Sequence, residues 1–120
     1  MDTKQAKSQL AKDGIDYILA QWVDIHGTPR CKGVPASAFD QFVGGSAGFA
    51  GAATAGMGQG PHSHDMIGMP DLDTYTVVPW ETGVARFACN IEVDAQAWPY
   101  CSRTALAALL DHRPPQVQLR

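Results

Sequence analysis

A chain of 120 residues, 45% of them hydrophobic, has the size of one domain and can bury about two-thirds of its unfolded surface around one modest core. Nine basic against twelve acidic residues leave a net charge of −3 without a basic stripe, which argues against nucleic acid or an anionic membrane held by charge. Three sparse cysteines, no charged-then-apolar leader and no apolar run near the ~20 residues of a bilayer span predict reduced thiols, a cytoplasmic location and no membrane crossing.

In chain order, Asp2 or Thr3 can cap a helix over Lys4 to Lys12, where Ala6, Leu10 and Ala11 form a thin apolar stripe that Gly14 terminates. Asp16 to Ile25 is rich in β-branched and aromatic residues and is apolar on both faces, so it reads as a strand inside a sheet. A turn containing Gly27 brings the chain back as a second strand from Pro29 to Val34, and Pro35 ends the hairpin because it has no N–H to give. Ser37 can cap a brief helix with Phe39, Phe42 and Val43 on one stripe, closed by Gly44 and Gly45.

Gly44 to Asp71 shows neither helix nor strand period and holds eight of the twelve glycines, so it reads as one long functional loop. Thr74 to Val78 and Val84 to Val93 read as two more strands. The second alternates, with Phe87, Cys89, Ile91 and Val93 inward. Ser102 can cap a helix from Arg103 to Asp111 with Leu106, Leu109 and Leu110 on one face, and Pro114-Pro115 prevents its continuation. The order α-β-β-α-loop-β-β-α describes an α+β domain.

The chemical signals are weak taken singly. Gly56-Met57-Gly58-Gln59-Gly60 lacks the preceding strand, the following helix and the Lys-Ser/Thr pair of a phosphate loop. His62 and His64, beside Asp65, are weak metal candidates that need further ligands to close a site, and solvated loop histidines are the simpler reading. Glu81 and Glu92 are the only two glutamates, so a multi-carboxylate metal centre has little to draw on. No catalytic residue is visible in this chain.

Several motifs in one order nevertheless resemble a known family. Val23-Asp24-Ile25-His26-Gly27, Arg30-Cys31-Lys32-Gly33-Val34-Pro35, Gly48-Phe49-Ala50-Gly51, His64-Asp65-Met66, Met69-Pro70-Asp71, Thr74, Pro79-Trp80 and the Arg103 helix are similar to the N-terminal β-grasp domain of glutamine synthetases, over about Tyr17 to Leu110. The resemblance implies a β-grasp-like mixed sheet with short flanking helices and one long glycine-rich loop. It also implies an oligomeric, ATP-dependent ligase of nitrogen metabolism and glutamine biosynthesis, in which the γ-carboxylate of glutamate is phosphorylated and an amine displaces the phosphate. In such rings the β-grasp domain caps the active site of the adjacent subunit.

Two departures qualify what the resemblance implies. Where the family usually keeps Phe-Asp-Gly-Ser-Ser, with an aspartate that helps bind ammonium, this chain has Phe49, Ala50, Gly51, Ala52 and Ala53. The variant looks like the type III or GlnT-like branch, some members of which resemble γ-glutamylmethylamide synthetases, and the three alanines predict an alkylamine preference. Asp65 is the remaining loop carboxylate, either facing the neighbouring site or stabilising a turn. The family also continues into a catalytic domain that holds ATP and Mg or Mn, whereas no cofactor is expected on this chain alone. The sequence therefore divides into an N-terminal helix over 1–14, a β-grasp domain over 15–111 and an atypical tail over 112–120, as a fragment without ligase activity of its own. The competing expectation is a free-standing β-grasp interaction module without catalysis, with the glycine-rich loop as its docking surface.

Overall fold

The computed structural model describes residues 1–112. The atypical tail expected after Asp111 therefore lies, but for His112, outside the described residues. Helix α1 (Thr3–Lys12) opens on a capping box: the Asp2 carboxylate accepts from the Gln5 backbone N–H at 2.7 Å, and the Gln5 side chain accepts in return from the Asp2 N–H at 2.9 Å. Strands β1 (Tyr17–Val23) and β2 (Pro29–Pro35) form the expected hairpin, and Gly27 supplies the positive φ of +76° in its turn. Helix α2 (Phe39–Val43), β3 (Gly48–Phe49), β4 (Met66–Pro70), β5 (Thr76–Val77), β6 (Val84–Val93), β7 (Gln96–Ala97) and α3 (Ser102–Asp111) follow.

The sheet runs β2-β1-β6-β4-β3, and β5 and β7 also pair with β6. Only the β1–β6 contact is parallel, with Tyr17 opposite Val84. The ten residues of β6 serve two halves: its first part pairs with β1 and β5, its second with β4 and β7. Such a strand must bury one face along its length, and Phe87, Cys89 and Ile91 do so in alternation as expected, with Val93 half-buried at the end. The chain is thus α+β with a mixed sheet and short flanking helices.

Two cores form on that face. In the first, the Phe87 ring meets Phe39, Phe42 and Tyr75 at centroid separations of 6.1, 6.0 and 5.5 Å. Ala6 and Leu10 of α1 enter the same cluster, and burying Leu10 contributes about 2 kcal/mol. The second core gathers Trp22, Met57, Met66, Ile91 and Cys101.

Three local expectations are corrected. Ser37 caps nothing: the chain enters α2 through a 3-10 turn over Ala36–Ala38 that follows Pro35, without a side-chain cap. Ser102 lies inside α3, Cys101 holds its N-cap position, and the Ser102 hydroxyl instead donates to the Val23 carbonyl at 3.3 Å. The strand expected over Thr74 to Val78 shrinks to β5, because Asp71 accepts from the Asp73 N–H and starts a 3-10 turn over Leu72–Thr74. Leu106, Leu109 and Leu110 stay 55%, 68% and 39% exposed. What holds α3 is Arg103, which donates to Asn90 Oδ1 at 3.0 Å and Asp71 Oδ2 at 2.8 Å. That guanidinium in turn keeps the Asp71 carboxyl below its ordinary range.

No helix among the described residues is long and apolar enough to cross a membrane.

Candidate functional site

The stretch from Gly44 to Asp71 is not one structureless loop. Its ends zip together as β3 and β4, with Gly48 opposite Ile67 and Phe49 opposite Met66, and β4 joins β6. Ala50 and Asp65 are each one residue past the last pair, at the open end of that ladder. The segment between them folds onto the second core. Trp22 and Phe49 stack at 4.1 Å with planes 13° apart, and the Trp98 indole N–H donates to the Met57 carbonyl at 2.7 Å. Met57 and Met66 are core residues because these aromatic rings close over them.

The glycines allow this close approach. Gly58, at φ +68°, leaves room for the Tyr100 ring, which lies 3.1 Å from where a Cβ would stand. Gly51 is tighter: a Cβ there would meet Gln59 Oε1 at 2.1 Å and Met66 Sδ at 2.6 Å. Gln59 can swing aside, but Met66 is fully buried and cannot. Gly51→Ala should therefore lower the stability of the chain by about 1–3 kcal/mol, read as a shift in urea midpoint. An unchanged midpoint would show that the turn accommodates a side chain. Within the glycine-rich run, Gly56 and Gly58 thus fit closely against Ile25 and Tyr100, whereas Gly60 has open space beside it.

Of the five turn residues singled out from the sequence, Phe49 is half-buried, Gly51 is buried, and Ala50, Ala52 and Ala53 are exposed. Ala52 and Ala53 lie in a 3-10 turn over Gly51–Ala53, for which Ala50 is the N-cap. Asp65 is exposed beside them, and no side-chain hydrogen bond or ion pair is formed by it among the described residues. The turn therefore offers solvent a patch of methyl groups flanked by one carboxylate.

His62 is exposed, and His64 Nδ1 contacts both oxygens of Asp94, at 2.8 and 2.9 Å. Among the described residues no three His, Cys, Asp or Glu side chains gather as a metal site would need. The Asp94 partnership is invisible in sequence because a turn residue at φ +51° makes it from thirty residues away. The hydrogen bond from Asp94, and then its charge, raises the His64 pKa above its ordinary 6.5. Because the folded state favours the protonated ring, this contact supports the loop fully below the unfolded pKa and is lost as pH rises through the folded one. An NMR titration should place His64 above ordinary histidine, and Asp94→Asn should bring it back. Equal values in the two chains would remove the contact as a loop tether.

Two further anchors fix the turn's surroundings. Lys32 Nζ donates to the Gly48 carbonyl, tying β2 to β3. The buried Asp24 carboxylate accepts from the His26 N–H at 2.9 Å, the Thr28 N–H at 3.0 Å and Arg30 Nε at 3.1 Å, which shapes the β1–β2 turn under the loop. The Thr28 bond chiefly holds this carboxyl below its ordinary range, against the opposing effect of burial and with help from Arg30 and His26. Ile25 in that turn faces Gly56, where a Cβ would come within 2.7 Å of the Ile25 Cβ.

Comparison with known proteins agrees with this architecture. Residues 14–93 match the family model of the glutamine synthetase β-grasp domain. The chain is 38% identical over 112 residues to a glutamate–methylamine ligase of Methyloversatilis universalis, covering 92% of this chain and 25% of that protein. It is 32% identical over 97 residues to a glutamine synthetase of Rhizobium meliloti, covering 81% of this chain and 22% of that protein. Among solved structures, a GmaS–ADP complex superposes with a TM-score of 0.83 at 29% identity, covering 88% of this chain and 24% of the other. The chain thus spans about 25% of the length of a curated relative that it matches. On sequence, motif order and sheet topology together, it belongs to the glutamine synthetase family, as that family's β-grasp domain.

Proposed function

We propose that the Phe49–Ala53 turn, with Asp65 beside it, caps the side through which the amine enters a neighbouring subunit's active site in a glutamine synthetase-like, ATP-dependent glutamate–amine ligase. The observation that carries this reading is the exposed methyl patch of Ala50, Ala52 and Ala53 on a turn anchored from beneath by Phe49 and Trp22. A rigid apolar rim suits an alkylamine, whose methyl group gains from leaving water, better than ammonia. The 38% identity to a glutamate–methylamine ligase supports the same amine class. ATP and Mg or Mn would bind on the catalytic domain that supplies the rest of the site, and the adjacent subunits of the ring would be the partners of this domain. The chain acts in the cytoplasm on this reading, and residues 1–120 alone carry no ligase activity.

The test is a graft of this domain onto the catalytic portion of the methylamine ligase, with and without Ala50→Asp. A carboxylate restored at the rim should shift the kcat/KM ratio towards ammonia by about tenfold, equivalent to ~1.4 kcal/mol. An unaltered ratio would reject the role of Ala50, and γ-glutamyl transfer by the isolated chain would reject its dependence on a neighbour.

A further inference from the structure

A cavity of about 280 Å3 lies between the start of α3 and strands β1 and β6, and both Cys89 and Cys101 line it, with Trp22, Ser102, Arg103 and Leu106. Neither thiol has a role in the proposed ligase function, and neither forms a disulfide. Their hydrogen bonds are of opposite kinds. Cys101 Sγ, at the N-cap of α3, accepts from the backbone N–H of Ile91 at 3.5 Å. Cys89 Sγ donates to the Phe87 carbonyl at 3.7 Å, a bond that only the neutral thiol makes. The Ile91 N–H that holds the Cys101 sulfur lies two residues along β6 from Cys89, and both cysteines border the same cavity.

The environment separates the two further. Burial opposes ionisation of Cys101, but the Thr104 N–H, the Ile91 N–H of β6, the Thr104 hydroxyl and the Arg103 N–H together outweigh it and bring the thiol below its ordinary value. Burial pushes the Cys89 thiol up to about 12. Trp22, on the same cavity, is 8% exposed, and its buried indole N–H has no partner among the described residues. The cavity is several times the roughly 30 Å3 that one water takes up, so a small hydroperoxide has room.

We propose that Cys101 and Cys89 form a peroxide-sensitive dithiol, with Cys101 as the attacking sulfur, Cys89 as the resolving one and a small hydroperoxide as oxidant. In the first step the Cys101 thiolate attacks the peroxide. An S–O bond forms, the O–O bond breaks, and the departing alkoxide or hydroxide takes up a proton; sulfur loses two electrons and the peroxide gains them. In the second step Cys89 attacks the resulting sulfenic acid. The S–S bond forms, the S–O bond breaks, and the hydroxyl leaves as water with the Cys89 proton. The disulfide would tie the head of α3 to the middle of β6.

The experiment uses the whole chain with the exposed Cys31 changed to serine, treated with equimolar hydrogen peroxide at pH 7. Both cysteines lie on the tryptic peptide Phe87–Arg103, so mass spectrometry should find it lighter by two hydrogens and restored by dithiothreitol. Loss of free thiol should be at least about threefold faster than in the same chain unfolded in urea. In a Cys89→Ser chain the reaction should halt at a sulfenic acid on Cys101 that dimedone traps. Cross-links only between chains, slower oxidation in the folded state, or no dimedone adduct on Cys101 would each overturn the proposal. None of these readouts depends on ligase activity.

Discussion

Phe87→Ala should cost about 3–5 kcal/mol, enough to unfold much of a domain whose total stability is of the order of 5–15 kcal/mol. Phe87 is fully buried at the middle of the longest strand, and three aromatic rings from α2 and the turn before β5 converge on it. Truncation leaves a cavity that none of them can fill without leaving its own element. Strand β6, helices α1 and α2 and the hairpin share that core, so the loss should show as one cooperative shift in urea midpoint by every probe. A cost under about 1 kcal/mol would mean that the core collapses around the gap, contrary to the packing described.

Trp22→Ala should cost a similar amount, about 3–5 kcal/mol, but with a different signature. Trp22 belongs to the second core, where its ring stacks on Phe49 and joins Met57 and Met66. Removing it takes the floor from beneath the candidate turn, while the rings around Phe87 stay in place. Hydrogen exchange should therefore rise first at β3, β4 and the intervening segment, ahead of β1 and β2. Uniform exchange across the sheet would show that the two cores open as one, and the turn would then have no separable support.

The parts of this fold that could be read in advance are those where burial follows a period. Strand β6 spans the ten residues expected of it because Phe87, Cys89 and Ile91 alternate with half-exposed neighbours. The hairpin followed from Gly27 and the two prolines. The glycine-rich segment resisted for a physical reason. Strand β3 is two residues long and starts with glycine, and β4 contains Gly68 and ends in Pro70, so neither carries an alternation long enough to register. Met57 and Met66 stood isolated among small residues, and only the approach of Trp22 and Trp98 from distant segments makes them core. Cys101 as N-cap is a shift of one residue from Ser102, within the usual uncertainty of helix ends. As for the site, the turn residues Phe49 to Ala53 were legible through their family resemblance, while their anchors were not, because Lys32, Asp94 and Trp22 meet the loop only in three dimensions.

The parallel pairing at the centre of the sheet also sets an order of events during synthesis. Tyr17 pairs with Val84, a separation of 84 − 17 = 67 residues, whereas its other neighbour, Pro35, is 35 − 17 = 18 residues away. The β1–β2 hairpin can close as soon as it clears the ribosome, but the other edge of β1 has no partner until β6 has been made. During that interval the backbone N–H and C=O groups along that edge stand open, and the nascent hairpin is where a chaperone would first find work.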